Sequence, residues 1–446
     1  MAESLTFTTL GELVKEKRKE LGVSLSEVSR ITGISKGVIS KIENGETKRP
    51  ELRTLKPIAD VLNIPYEEII EGYIKVEHRF GILHDFLMEV AEISKPDLME
   101  KVAVKFLENS KKDSVESLEV LFRITETFRK KDIMITLYNI IIRYARAHGE
   151  SQYIAKGLYQ KYMIEREELK HLEESFKVGE EVLHYSDFLS HEEKITLYYR
   201  MALHAHNIKK YDKCVELGKI GHAKDSTNNE LKERVALAIC NSYFYTNKFE
   251  EMKKHLQIYE QLGYQFILKR IKYLRAIILA KTGQYQEAVP LLRECVEEAK
   301  DNNRLHRVNQ LVEVLLSIND VNSVQEIVER EEKNFSLDFN NVYHLSELGK
   351  YFKNKGSLLV GRGLFDEGME SYLQGMNYFS KINALNDIVE CAEDIHTHHC
   401  EQGKEMNLGL LKEMQEVYNI VNNGDERGGK NEETFNCTDD CFTGIM

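Results

Sequence analysis

Lys36, Lys41, Lys48, Arg49 and Arg53 stand close together near the N-terminus of a chain whose net charge is −12. Clustered ammonium and guanidinium groups suit one chemistry above others: neutralising phosphates and donating hydrogen bonds to the edges of bases. Their surroundings are balanced, since residues 1–75 hold 12 Lys and Arg against 12 Asp and Glu. The excess acid therefore lies in the rest of the chain. The plain alternative is a solvated basic face on an ordinary helical domain. A face that meets few phosphates binds modestly as a single copy and weakens as salt rises, which points to dimerisation.

The elements that would position these cations are legible between Ser24 and Pro50. Ser24 reads as a helix N-cap with Glu27 three residues on, a capping-box pattern. Val28 and Ile31 give that helix an apolar face, and Gly33 can turn the chain at low steric cost. Ser35 caps a second helix whose buried side is read as Val38, Ile39 and Ile42, and Gly45 ends it. Two short helices about a tight turn, the second presenting its first residues outward, are the pattern of a major-groove reader.

This stretch resembles the XRE and phage-repressor family of helix-turn-helix domains, over about Leu10 to Ile70. The run IENGETKRP is close to the family's pattern after the recognition helix. The resemblance implies a five-helix domain. It places Lys36, Gly37, Val38 and Lys41 at base-reading positions, and Ser35, Asn44, Lys48 and Arg49 against backbone or minor groove. The family's usual Gln near the start of the first motif helix is Leu25 here, and Gly37 offers no side chain where many relatives read a base.

Other chemistries find little support. The seven cysteines are scattered and odd in number, which suits a reduced cytoplasm. Cys437 and Cys441, four apart, lack companion ligands for a metal or redox role. His396 to Cys400, HTHHC, could be a zinc set with His396 and Cys400 on one helix face, but reads more plainly as a polar face. There is no glycine-rich phosphate loop, metal-spaced ligand set or nucleophile elbow. Glu165, Glu167 and Glu168 read as a solvated helix face. We expect no enzyme, no cofactor and no metal. No apolar run is long enough for a membrane span, and the N-terminus does not read as a secretory signal. The expected location is the cytoplasm.

The remainder is a repeat. Only five prolines occur in 446 residues, and Leu, Glu, Lys, Ile and Tyr dominate, so the fold class is all-α. NIKKYDKCVEL, NKFEEMKKHL and TGQYQEAVPLL each place a turn, an aromatic residue and a helix start. Tyr211, Phe249 and Tyr285 mark the phase, 38 and 36 residues apart. Weaker members fit at Ile133, Leu172, Val321 and Phe365. A helical-hairpin repeat near this length is the tetratricopeptide signature, and stacking such units implies a right-handed solenoid with a concave inner surface. Pro290 falls mid-helix and predicts a kink. The expected organisation is a reading domain at 1–73, a helical linker at 74–110, repeats at 111–421 and a disordered, Gly-rich tail at 422–446.

Aligning the repeats turns Tyr199, Asn207, Arg234, Asn241, Arg270, Tyr273, His306, Asn309, Lys350 and Asn354 inward. Asn can bond both sides of a peptide backbone, and Arg can fork onto a carboxylate. Asn241 and Asn309 stand among apolar neighbours and need partners, either a ligand or an adjacent helix. The order of parts resembles the peptide-pheromone receptors of Gram-positive bacteria, of the PlcR and NprR types, with phage arbitrium receptors as a related variant. The length favours the NprR type. The resemblance implies a transcriptional regulator whose partners are an operator in double-stranded DNA, a short signalling peptide and further copies of itself, as a homodimer or tetramer. A response-regulator protein is a further partner it implies. The alternative is a docking module for such a protein with no peptide ligand.

Overall fold

The computed structural model describes residues 9–47, 50–77, 79–93, 95–108, 113–168, 171–299, 302–333 and 342–427. Among them every regular element is a helix. The first five form an N-terminal head: α1 (Leu10–Glu20), α2 (Leu25–Thr32), α3 (Lys36–Glu43), α4 (Leu52–Val61) and α5 (Tyr66–Val76). Local chemistry sets their starts. Thr9 and Glu12 close a full capping box on α1, with Thr9 Oγ1 accepting at 3.2 Å and Glu12 Oε2 accepting at 2.7 Å. Ser24 and Ser35 cap α2 and α3 by accepting the amides of Glu27 and Val38, each bond worth about 1 kcal/mol. At Ser24 only the serine half of the expected box forms.

Val28, Ile39, Ile42, Leu55, Ile58 and Ile70 are buried and build the head's core. Two residues expected there are outside it: Ile31 is 56% exposed and Val38 39% exposed. Both sit on eight-residue helices. Two turns at 100° per residue leave little room for a wide apolar stripe, so Val28, Ile39 and Ile42 take the inner side.

Contacts divide the chain into two units. The first holds residues up to Lys210 together with Ile220–Asp225. After the head come α6 (Phe80–Ile93), α7 (Pro96–Leu107), α8 (Ser114–Thr127), α9 (Lys131–His148), α10 (Ser151–Glu165), α11 (Leu172–His184) and α12 (His191–Asn207). The expected boundary at residue 73 falls inside α5. The expected linker is helical, but it is a packed pair: Leu83, Phe86, Leu87, Val102 and Phe106 are buried. Tyr73 of α5 meets the Phe86 ring at 5.3 Å, Lys101 pairs with Glu71, and α7 packs on α9.

The helix α13 (Tyr211–Lys224) is shared between the units. The second unit continues with α14 (Glu230–Tyr245), α15 (Phe249–Gln261), α16 (Gln265–Leu268), α17 (Ile271–Lys281) and α18 (Tyr285–Glu298). Then follow α19 (Asn302–Ser317), α20 (Val321–Glu332), α21 (Val342–Gly361), α22 (Phe365–Ser380), α23 (Leu385–Gln402) and α24 (Leu408–Arg427). Among the described residues its core includes one cluster around Ile277, Leu292, Val308 and Leu348 and another around Tyr372, Met376, Phe379 and Ile395.

The repeat phase appears as helix starts. Leu172, Tyr211, Phe249, Tyr285, Val321 and Phe365 are each the first residue of a helix, and Ile133 is the third residue of α9. A left-handed residue stands two places before most of these starts: Lys209 (φ 60°), Asn247 (55°), Gly283 (78°), Asn319 (58°) and Gly363 (80°). The next amide reaches back five residues, as from Lys248 to Tyr243 O and from Gln284 to Leu279 O, both at 2.8 Å. This closure ends one helix and fixes where the next begins. Pro290 lies within α18, which runs on through it. The helix α24 reaches Arg427, beyond the expected start of the tail at 422. The rest of that tail, with Cys437 and Cys441, lies outside the described residues. No helix among the described residues is long and apolar enough to cross a membrane.

Two buried histidines on α12 make the first unit sensitive to acid. His204 Nε2 donates to Leu172 O at 2.9 Å, and the Tyr162 hydroxyl is 3.3 Å from Nδ1. Burial pushes both His204 and His206 from 6.5 down to about 4. Between these values the unfolded chain binds protons that the folded chain refuses. Stability is therefore complete above pH 6.5 and declines as pH falls towards 4, by about 3 kcal/mol per histidine. Urea midpoints followed by circular dichroism from pH 7.5 to 4.5 should fall steeply. The fall should be shallower in His206→Gln, and an unchanged slope would remove His206 from the account.

Candidate functional site

Ser35, Lys36, Gly37, Val38, Lys41 and Asn44 are all exposed, while Ile39, Ile42 and Glu43 are buried. On a helical projection Gly37, Lys41 and Asn44 lie opposite the buried side, with Val38 beside Lys41. Lys48 and Arg49, the expected backbone or minor-groove contacts, lie outside the described residues. Arg53 is exposed and pairs with Glu51.

The helix α3 is seated by α1 through contacts that its own sequence does not announce. Arg18 Nε and Nη2 donate to the two oxygens of Glu43 at 2.6 and 2.8 Å, and Nη1 donates to Val23 O at 3.0 Å. Glu43 is 5% exposed. Beside this pair, a Cβ on Gly11 would stand 2.2 Å from the Ile42 carbonyl oxygen. Only glycine lets the two helices meet there.

A second polar cluster joins α17, α19 and α21. It gathers Tyr273, His306, Asn309 and Lys350 from the expected inner face, around one residue that sequence reasoning missed, Glu347. Asn309 Nδ2 donates to Glu347 O and Oε2, both at 2.8 Å. Lys350 Nζ donates to Glu347 Oε1 at 2.8 Å, and His306 Nδ1 lies 3.3 Å from the same oxygen. The Tyr273 hydroxyl is 2.8 Å from His306 Nε2. Burial works to raise the Glu347 carboxyl, but His306 and Lys350 outweigh it and hold the group down to about 2. Burial likewise works against the Lys350 charge, and Glu347 more than offsets it.

Further charges flank the cluster. Arg307 stacks 5.4 Å over the Tyr273 ring and donates to Cys295 O. Arg270 has its pKa lowered by burial and then by Arg307. Glu313 is pushed up by burial against the pull of Lys281 and Lys350. Glu347 could have been found as a carboxylate three residues before Lys350 in an apolar helix.

The other expected residues are placed apart. Arg234 donates to Glu230 on its own helix and lies 5.4 Å over Phe266. Asn241 is 4% exposed within α14, and Asn309 is fully sealed, so neither amide faces solvent. Asn354 Nδ2 is buried with no hydrogen-bond partner among the described residues. Tyr199 donates to Asp225 at 3.0 Å, and Asn207 is exposed. In HTHHC, His396 and Cys400 are exposed, His399 is buried and His398 bonds Tyr372. Glu165 differs from the solvated reading: it is half-buried, and burial raises its pKa.

The helix-turn-helix family model matches residues 14–69. The HTH-type transcriptional repressor RghR of Bacillus subtilis (strain 168) is 30% identical over 105 residues, covering 76% of that protein and 23% of this chain. This chain belongs to the helix-turn-helix transcriptional regulators. The HTH-type regulator RghRB of the same strain is 37% identical over 85 residues, where the chain spans about half, 56%, of the relative's length. The crystal structure of Bacillus thuringiensis PlcR with the peptide PapR7 and DNA aligns at 17% identity and a TM-score of 0.23, covering 88% of this chain and 99% of that one. The sequence matches speak for under a quarter of this regulator, and the long repeat region must be read from its own residues.

Proposed function

We propose that this regulator reads an operator through the outer face of α3 as a homodimer or tetramer. A short signalling peptide, held at the Glu347 cluster, changes that assembly and so the affinity for DNA. The observation that carries this reading is the cluster itself. An ionised carboxylate only 2% exposed is expensive to keep in a helical core that apolar residues could fill, and such groups gather where a protein binds or reacts. Arg270, His306, Arg307 and Lys350 around it are partly buried, the side chains of His306 and Lys350 being 15% and 35% exposed. Asn309 acts from behind by holding Glu347. A peptide carries ammonium and carboxylate groups on one chain, and the cluster offers both signs. The order of parts, a reading head followed by repeats, agrees with the peptide-pheromone receptors that the sequence resembles.

The test is the anisotropy of labelled DNA from upstream of the gene, titrated with and without synthetic peptides from adjacent small reading frames. One peptide should shift the affinity tenfold or more, about 1.4 kcal/mol of coupling. Lys41→Ala should abolish specific DNA binding with an unchanged circular dichroism spectrum and unchanged peptide affinity. DNA binding that survives in Lys41→Ala removes α3 from the reading. DNA binding that no peptide alters favours the repeats as a docking surface for a protein such as a response regulator.

A further inference from the structure

Within the reading helix α3 one apolar side chain faces solvent. Val38 is 39% exposed, while Ile39 and Ile42 are 0% and 1% exposed. Val38 does not belong to the core side of α3, which Ile39 and Ile42 fill, and β-branched residues form helix less readily than alanine.

We propose that Val38 contacts the 5-methyl group of a thymine on the floor of the major groove and selects thymine at that position. This rests on the reading that the outer face of α3 binds DNA. The thymine methyl is the one apolar group that the major groove displays, and it distinguishes T from C. A valine is short, so the helix backbone must come close to the base edges for it to touch. Gly37, the residue before it, permits that approach: it has no side chain, and nothing lies within 4 Å of where its Cβ would stand. Lys41, three residues after Val38 and on the same exposed side, can reach a neighbouring guanine or phosphate. Bulk at position 37 would hold the helix away, whereas bulk at 38 makes the contact.

The full-length protein is used to enrich duplexes from a random-sequence library. Each thymine of the enriched duplex is then replaced in turn by deoxyuracil, which removes only the methyl. At one thymine per half-site the replacement should weaken binding about three- to tenfold. Val38→Ala should bind the thymine duplex about as weakly as the wild type binds the uracil duplex, and should no longer distinguish the two. Val38→Thr, which keeps one methyl, should retain part of the discrimination. Gly37→Leu should keep the helical spectrum and lose the enriched site. If no thymine is sensitive, or Val38→Ala discriminates as well as the wild type, Val38 is not the contact although the DNA face stands. If no duplex is enriched at all, the DNA reading fails and this proposal with it.

Discussion

Arg18→Met is expected to lower the stability of the reading head by about 3–5 kcal/mol, because it leaves the Glu43 carboxylate buried without its partner. Glu43 is 5% exposed and takes two hydrogen bonds from Arg18. That loss is a large fraction of the whole stability of a typical domain, so specific DNA binding should fall sharply with it. The double variant Arg18→Met with Glu43→Leu removes both charges and should recover most of the stability, since apolar replacements of a buried pair are often neutral. Urea denaturation followed by far-ultraviolet circular dichroism reads the effect, and the absence of Trp rules out indole fluorescence. A single variant as stable as the wild type would mean that Arg18 does not hold α3. The pair ties α3, the helix proposed to read DNA, to α1, and Gly11 allows those helices to touch.

The second large effect is expected at Glu347. Glu347→Ala removes the acceptor shared by Asn309 and Lys350 and the carboxylate 3.3 Å from His306 Nδ1, and should destabilise its surroundings by about 3–5 kcal/mol. Glu347→Gln is the sharper probe. Its amide oxygen can still accept from Asn309, so the fold is largely kept, but the charge facing His306 and Lys350 is gone. Peptide affinity should fall at least tenfold in the Gln variant, measured by anisotropy of a labelled peptide, with a helical spectrum like the wild type's. Wild-type peptide affinity in Glu347→Gln would detach the cluster from ligand binding. Since the folded carboxyl titrates near 2, below its ordinary 4.5, its contribution to stability is present above pH 4.5 and is lost as pH falls through 2.

These two residues mark where sequence reasoning stopped. Arg18 and Glu43 are 25 positions apart, and Asn309 and Glu347 are 38 apart. No caps, turns or periodicity relate such pairs. Val38 and Ile31 show the same limit on a smaller scale. Both are apolar and helical, the apolar pattern puts both on the inner side, and both are exposed, because on a two-turn helix several facings suit the same few apolar residues. Asn241 and Asn309, polar amides among apolar neighbours, need partners. For Asn309 the structure supplies one in Glu347, from a neighbouring helix.

By itself the sequence determined the all-α class, the caps at Ser24 and Ser35, the basic outer positions of α3 and the phase of the repeats to within two residues. All of these are local: a serine accepts an amide three residues on, and a left-handed residue closes a helix two places before the next begins. Only the tertiary structure decided which side chains face inward, that α6 and α7 are packed helices, and that Glu347 stands at the centre of the inner polar cluster. Those outcomes depend on desolvation and on partners brought together from distant positions, and their energies exist only once the helices have packed.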